Sequence, residues 1–287
     1  MDGIRIGSEE HKRLLCATFL QTHDPFLPEQ IAWPVLDEEA LARIRALPVW
    51  MEAARTEAAT AVKVQALGEI EPDPVLKEAI ALQGYEEGRH AAIIALLTAR
   101  YGIATGSPGA PEKPRNPKWT FLRTGYGECL DSFFAFGLFD IGRRTEFFHK
   151  DLIALFDRIM QEEARHILFI VNWAAYLRAG KPFALRPVFD ARRAWNIAAQ
   201  AFDRVRGAMA MGSGGSSSQD GFTLKSHTAL GDFSLRSFLE LCLSENQRRL
   251  APYDARLLRP ALVPSLVRVA LKFLPRSRNA GASLAAD

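Results

Sequence analysis

The pentapeptide Glu86-Glu87-Gly88-Arg89-His90 returns as Glu162-Glu163-Ala164-Arg165-His166, and no other feature constrains the chain as strongly. Each copy sits inside a long stretch with apolar residues at helical spacing. Glu87 and His90 are three residues apart, as are Glu163 and His166, so on a helix each pair shares one face. The face of Glu87 continues through Ile80, Gln83, Gly84, Ala91 and Ile94. That of Glu163 continues through Phe156, Ile159, Met160, Ile167 and Ile170. A carboxylate and an imidazole set into an apolar stripe are bound for a core, where an unpartnered charge costs several kcal/mol.

Boundary signals place both motifs in the middle of helices. Asp37 caps a first long helix that runs to Leu67, with Pro48 kinking or splitting it. Asp73 caps the second and Pro74 opens it, and Gly102 closes it after Arg100. Residues 103–118 are rich in Pro and Gly and read as a long crossover connection. A third helix is expected over 119–147 and a fourth over 151–177, with further helices over 186–211, 233–250 and 264–273. Pro25, Pro28 and Pro34 mark residues 1–37 as an irregular N-terminal wrap. Residues 38–180 then form a metal-binding bundle, and 181–275 supply additional helices packed on it, with a flexible loop at 212–220. Residues 276–287 are a frayed tail. No run alternates convincingly as a strand, so the expected class is all-α.

Each motif needs a second carboxylate at the same height on the preceding antiparallel helix. Pro72, in the turn, lies midway between Glu57 and Glu87, and residues equidistant from a tight turn face one another across a helical hairpin. Glu57 interrupts an apolar face of Trp50, Ala54, Ala61 and Val64, whereas Glu52 shares its face with Arg45, Pro48 and Lys63, a solvent pattern. Glu128 stands in the same relation to Glu163, with a looser midpoint near Thr145, and its face runs Phe121, Gly125, Ser132, Ala135, Phe139. Four carboxylates balance two divalent cations, and each cation gains one histidine nitrogen. Such a mixed donor set suits iron or manganese better than a closed zinc tetrahedron.

The order Glu57, Glu87-x-x-His90, Glu128, Glu163-x-x-His166 resembles the ferritin-like di-iron carboxylate superfamily, whose ligand pattern for four-helix bundles is well described. The resemblance covers roughly residues 38–178. It implies a ferritin-like four-helix bundle with a long crossover between its second and third helices. It also implies two Fe ions, or a Mn/Fe pair, with Glu57 and Glu128 as terminal ligands and Glu87 and Glu163 as bridges. A third histidine, found on the fourth helix of some N-oxygenases of the superfamily, is absent, since Ile159 occupies the position two turns before His166. The implied activity is oxidation of an organic small-molecule or carrier-bound substrate by O2, as an oxygenase or oxidase drawing on an external electron donor. Two alternatives stand beside it. One is ferroxidase, iron-handling or peroxide-detoxifying activity, and the other is a helical binding protein with a structural metal.

Around the six ligands, Asp131 either orients a ligand histidine or is a solvated aspartate. Arg89 and Arg165 read as outward ion-pair partners of Glu86 and Glu162. Tyr85 and Tyr126 flank ligand positions, with a radical or hydrogen-bonding role set against the simpler one of packing between helices. Gly84 and Gly125 read as points of close helix approach. His149 and His227 read as surface residues, and His11 and His23 have no assigned role.

The bulk of the sequence agrees with a soluble globular chain: 48% of residues are hydrophobic and 24% charged, enough for a large core. With 36 basic against 33 acidic residues the net charge is only +3, so no nucleic-acid partner is expected. No stretch of about 18 apolar residues predicts a transmembrane segment. The early acidic residues do not fit a signal peptide. Three scattered cysteines suit a reducing compartment, and the expectation is cytoplasmic. A homodimer is compatible with all of this. The amphipathic segment 262–273 could touch lipid, but packing on its own domain is the expectation.

Overall fold

The computed structural model describes residues 3–106, 109–212 and 234–275. Among these residues the structure is all-helical and contains no strand.

The first helix is a departure from expectation. Residues 9–21, read as irregular, form α1 (Glu9–Gln21). The prolines begin only at Pro25, so they leave this segment free to coil. Ser8 caps it by accepting from the His11 N–H, and Glu9 and Glu10 meet the positive end of the helix dipole. Leu15, Cys16 and Phe19 are buried on one side, against α4 and α6 (below). Residues 22–37 then run over the surface with one short 3-10 turn, Pro28–Gln30.

Asp37 caps α2 (Glu38–Ala46), accepting from the Ala40 N–H at 2.7 Å. Pro48 splits the first long helix, because Leu47 is held extended as a residue preceding proline must be. The Trp50 indole N–H donates to the Ile44 carbonyl at 2.7 Å and ties α2 to α3 (Trp50–Ile70). Asp73 accepts from the Val75 and Leu76 N–H groups at the start of α4 (Pro74–Arg100). Gly102 ends α4 in the left-handed region, at φ +61°. After the long connection come α5 (Pro117–Arg144), capped by Asn116, and α6 (Lys150–Ala179). The break between them spans residues 145–149, so α5 ends three residues before the expected limit.

Helices α3, α4, α5 and α6 form the bundle that holds the site. The pairs α3/α4 and α5/α6 are the two hairpins, and α3 packs on α5. Val64, Leu67, Ile80, Phe121, Phe169, Ile170 and Trp173 are among its buried core residues. Two glycines on α5 set distances to neighbouring helices. A Cβ on Gly125 would lie 2.3 Å from Ile170 Cγ2 of α6, and one on Gly137 would lie 2.4 Å from the Cys242 sulfur. Gly125→Ala is therefore expected to destabilise the fold by about 1–3 kcal/mol through overpacking. Thermal denaturation would measure it, and an unchanged melting temperature would show that α5 and α6 can part without cost.

The remaining helices are α7 (Arg186–Gly212), α8 (Leu235–Leu250) and α9 (Leu262–Phe273). Helix α7 lies on α5, α8 packs against both α5 and α6, and α9 packs on α8 and α5. Arg249 of α8 is buried and donates to Asp157 of α6 at 2.8 Å. The loop expected at 212–220 lies outside the described residues, apart from Gly212 at the end of α7. His227 and the tail 276–287 also lie outside them. No described helix is long and apolar enough to cross a membrane.

Candidate metal centre

Mid-bundle, α3 contributes Glu57, α4 contributes Glu87 and His90, and α6 contributes Glu163 and His166. One donor atom each from Glu57, Glu87, His90 and Glu163 lies within 4.8 Å of the other three. His90 Nδ1 is 3.2 Å from Glu163 Oε1 and 3.6 Å from Glu57 Oε2. His166 Nδ1 is 3.1 Å from Glu87 Oε1 and 3.8 Å from the same Glu163 Oε1. One oxygen of Glu163 thus lies near both histidines, the position a bridging carboxylate would take. Glu128 of α5 completes the group: it interacts electrostatically with Glu87, Glu163, Glu57 and His166, and its Oε2 is buried without a hydrogen-bond partner. Five of the six expected ligands therefore lie within contact distance of one another, and Glu128 lies near enough to feel their charge.

The far nitrogen of each histidine is held by a carboxylate from the opposite helix. His90 Nε2 donates to Glu162 Oε2 at 2.8 Å, and His166 Nε2 donates to Glu86 Oε2 at 2.8 Å. Arg89 pairs with Glu162, and Arg165 with Glu86. All four residues are buried. The expectation that Arg89 and Arg165 point outward is overturned. The close pairing is reciprocal between α4 and α6, with Arg89 also 4.0 Å from Glu86 of its own helix. The reason is geometric: when two copies of one motif run antiparallel, the first residue of each meets the fourth and fifth of the other. The repeat itself carried that signal, because a self-exchanging motif can satisfy both of its charges only with a second copy.

This arrangement decides which nitrogen faces the cluster. A carboxylate only accepts, so Nε2 carries the proton and the Nδ1 lone pair points at Glu57, Glu87 and Glu163. Both Nδ1 atoms lack a hydrogen-bond partner in the buried interior. Four carboxylates facing two lone pairs repel one another unless positive charge sits among them. With metal absent, protons fill that need. Burial, then Glu163 and Glu87, pushes Glu57 up to about 7 against the opposing pull of His90. Burial and the same two carboxylates raise Glu128 well above the usual carboxylate range. Burial alone would lower His90, but contacts with Glu162, Glu163 and Glu57 raise it well above the usual imidazole value. His166 is raised likewise by Glu87, Glu86 and Glu163. Glu86 behaves oppositely: burial would raise it, but His166 and Arg165 hold it at about 2. With Glu86 and Glu162 matched by the two arginines, the inner four carboxylates carry the charge that two divalent cations would balance. The residues present fit such a pair.

Two further residues support the centre. Gln83 is fully buried and donates to Glu87 Oε1 at 3.4 Å. His23, unassigned from sequence, lies 2.5 Å through Nδ1 from Glu86 Oε1. Arg89 also donates to the carbonyls of Asp24 and Phe26, so the segment after α1 is fastened over the outer side of the site. No sequence periodicity could announce this, since an extended segment has no repeating contact.

Other assignments change. Asp131 bonds no site histidine; it pairs with Arg204 of α7 at 2.5 Å. Tyr85 is 48% exposed and stacks near Arg89 on the outer side, away from the cluster. Tyr126 is a buried packing residue whose hydroxyl is pushed up to about 12 by burial. Lys63, read as solvent-facing, is half-buried, and burial lowers its pKa against the opposing pull of Glu128. Glu52, read as lying on a solvent face, is only 12% exposed and pairs with Arg55 at 2.6 Å. His149 caps α6, and His11 is buried on Asn172 at 2.8 Å. Comparisons with protein-family models, curated proteins and solved structures return no match.

Proposed function

We propose that the chain is a ferritin-like, non-haem di-iron oxygenase or oxidase that uses O2 to oxidise an organic substrate. The observation that carries this reading is the cluster of Glu57, Glu87, His90 and Glu163, which His166 Nδ1 joins through Glu87 and Glu163, with both imidazoles held in the metal-binding tautomer by Glu86 and Glu162. Glu57 and His90 would hold one iron, Glu128 and His166 the other, with Glu87 and Glu163 between them. When bound, the iron pair supplies electrons to O2.

The remaining work belongs to the chain. Glu86 and Glu162 orient the histidines and raise their basicity, and carboxylate partners of this kind tune metal affinity by about 10–100-fold. Arg165 joins His166 in holding Glu86 ionised, and Arg89 pairs with Glu162. Phe19, buried beside His166, and the segment 22–27 exclude water from the α4/α6 side. The opposite side is more open, where the side chains of Glu57 and Glu163 are 24% and 14% exposed. Approach of O2 and substrate from the α3 side follows from that asymmetry.

The test is anaerobic loading of the metal-free protein with Fe2+, a metal count, and then O2 addition followed by absorption and an oxygen electrode. Two irons per chain, O2 uptake and a ferric charge-transfer band are expected. Fewer than one iron per chain, unaffected by Glu87→Ala, would overturn the site. Iron uptake far beyond two per chain, in a shell-sized particle by light scattering, would replace the oxygenase reading with iron storage.

A further inference from the structure

Helix α9 is apolar on two sides, and among the described residues only one of them is packed. Val263, Pro264 and Val267 are buried against α8 and α5. Leu262, Leu266, Val269 and Phe273 stand exposed, at 49%, 61%, 51% and 83%. At 3.6 residues per turn these four fall within about 60° of arc, so they form a single row turned away from the protein. The expectation that this helix packs on its own domain accounts for the first side and leaves the second unexplained.

Charge says what fits the exposed row. From Ala255 to Ala286 the sequence holds six basic residues, Arg256, Arg259, Arg268, Lys272, Arg276 and Arg278, and no acidic one. Arg268 and Lys272 are exposed, and helical geometry sets both on the same flank of the apolar row, Lys272 about a quarter-turn and Arg268 about a third of a turn from its centre. Long basic side chains in that position reach phosphate headgroups while the row beside them enters the acyl boundary. A second exposed row, Val188, Trp195 and Phe202 on α7, has Asp203 as well as Arg206 beside it and lacks this one-signed flank.

We propose that the exposed face of α9 is a docking surface for an anionic lipid bilayer. The helix lies in the plane of the headgroups and does not span. Leu262, Leu266, Val269 and Phe273 enter the acyl boundary, and Arg268 and Lys272 meet the phosphates. The inference is independent of the metal centre, because none of these residues touches it.

Flotation of the full chain with vesicles tests it. Vesicles of phosphatidylcholine with about a third phosphatidylglycerol are compared with phosphatidylcholine alone, at low and high salt. Binding to the anionic vesicles at least tenfold tighter than to the neutral ones, and weakened by salt, is expected. The double variant Leu266→Glu/Phe273→Glu should lose at least tenfold of that binding with unchanged circular dichroism, since both side chains are exposed. Arg268→Glu/Lys272→Glu should abolish the preference for anionic lipid. Failure of the wild-type chain to float with either vesicle would overturn the proposal. So would equal flotation of the Leu266→Glu/Phe273→Glu variant. A concentration-dependent dimer, seen by light scattering without vesicles and lost in that variant, would assign the face to a second copy of the chain instead.

Discussion

Glu128→Gln is expected to weaken Fe2+ binding by at least about 100-fold, more than loss of an outer-sphere partner would, and at the same time to raise the melting temperature of the metal-free protein. The two effects share one cause. Glu128 is partly exposed, but its Oε2 is buried without a partner, and Glu87, Glu163 and Glu57 repel its charge. Metal repays that arrangement, and without metal it is a cost that the amide does not bear.

The pH dependence has a definite sign. Glu57, raised to about 7, and Glu128, His90 and His166, all raised, hold protons in the metal-free fold that the unfolded chain has already released. Stability of the metal-free protein should therefore fall as pH rises from about 5 to 8. Glu86, held at about 2, contributes stability that is already fully present above pH 5 and does not reverse the slope. Fe2+ displaces the protons, so the gap in melting temperature between loaded and metal-free protein should widen across the same range. Glu128→Gln should flatten the metal-free slope. Calorimetric melts at three pH values, with and without metal, would check this. A metal-free melting temperature that climbs with pH, or a destabilised Glu128→Gln variant with unchanged affinity, would show that the carboxylates are held by the protein and not for a metal.

Glu86→Ala should be the most destabilising substitution near the site. Glu86 is fully buried and is shared by His166, Arg165 and His23. Its removal strands the Arg165 guanidinium in the interior, at a cost of about 3–5 kcal/mol, or roughly 10 °C in melting temperature for a chain of this size. Glu86→Gln keeps an acceptor for His166 and should cost less, while still lowering metal affinity by about 10–100-fold. Glu162→Ala strands Arg89 in the same way, but it does not release His23, so it should be the milder of the pair. Equal and small losses in all three variants, by thermal denaturation, would mean that water reaches the arginines and that the reciprocal network is a surface feature.

The candidate cluster was legible because a helix turns the spacing of Glu87 and His90, or Glu163 and His166, into a shared face, and a tight turn at Pro72 aligns Glu57 with Glu87 without any tertiary knowledge. The helix limits at Asp37, Pro48, Asp73 and Gly102 were legible for the same reason, since each is a local backbone or capping effect. The directions of Arg89, Arg165, Glu86 and Glu162 were not. Each could be satisfied by a neighbour on its own helix, and only the antiparallel meeting of α4 with α6 exchanges the partners. His23 and Asp131 belong to that class as well: one is brought to Glu86 by an aperiodic segment, the other is drawn to α7 by Arg204. Local order along the chain determined which residues could bind metal. Packing between distant segments decided which nitrogens face it, what holds them there, and which apolar faces remained uncovered.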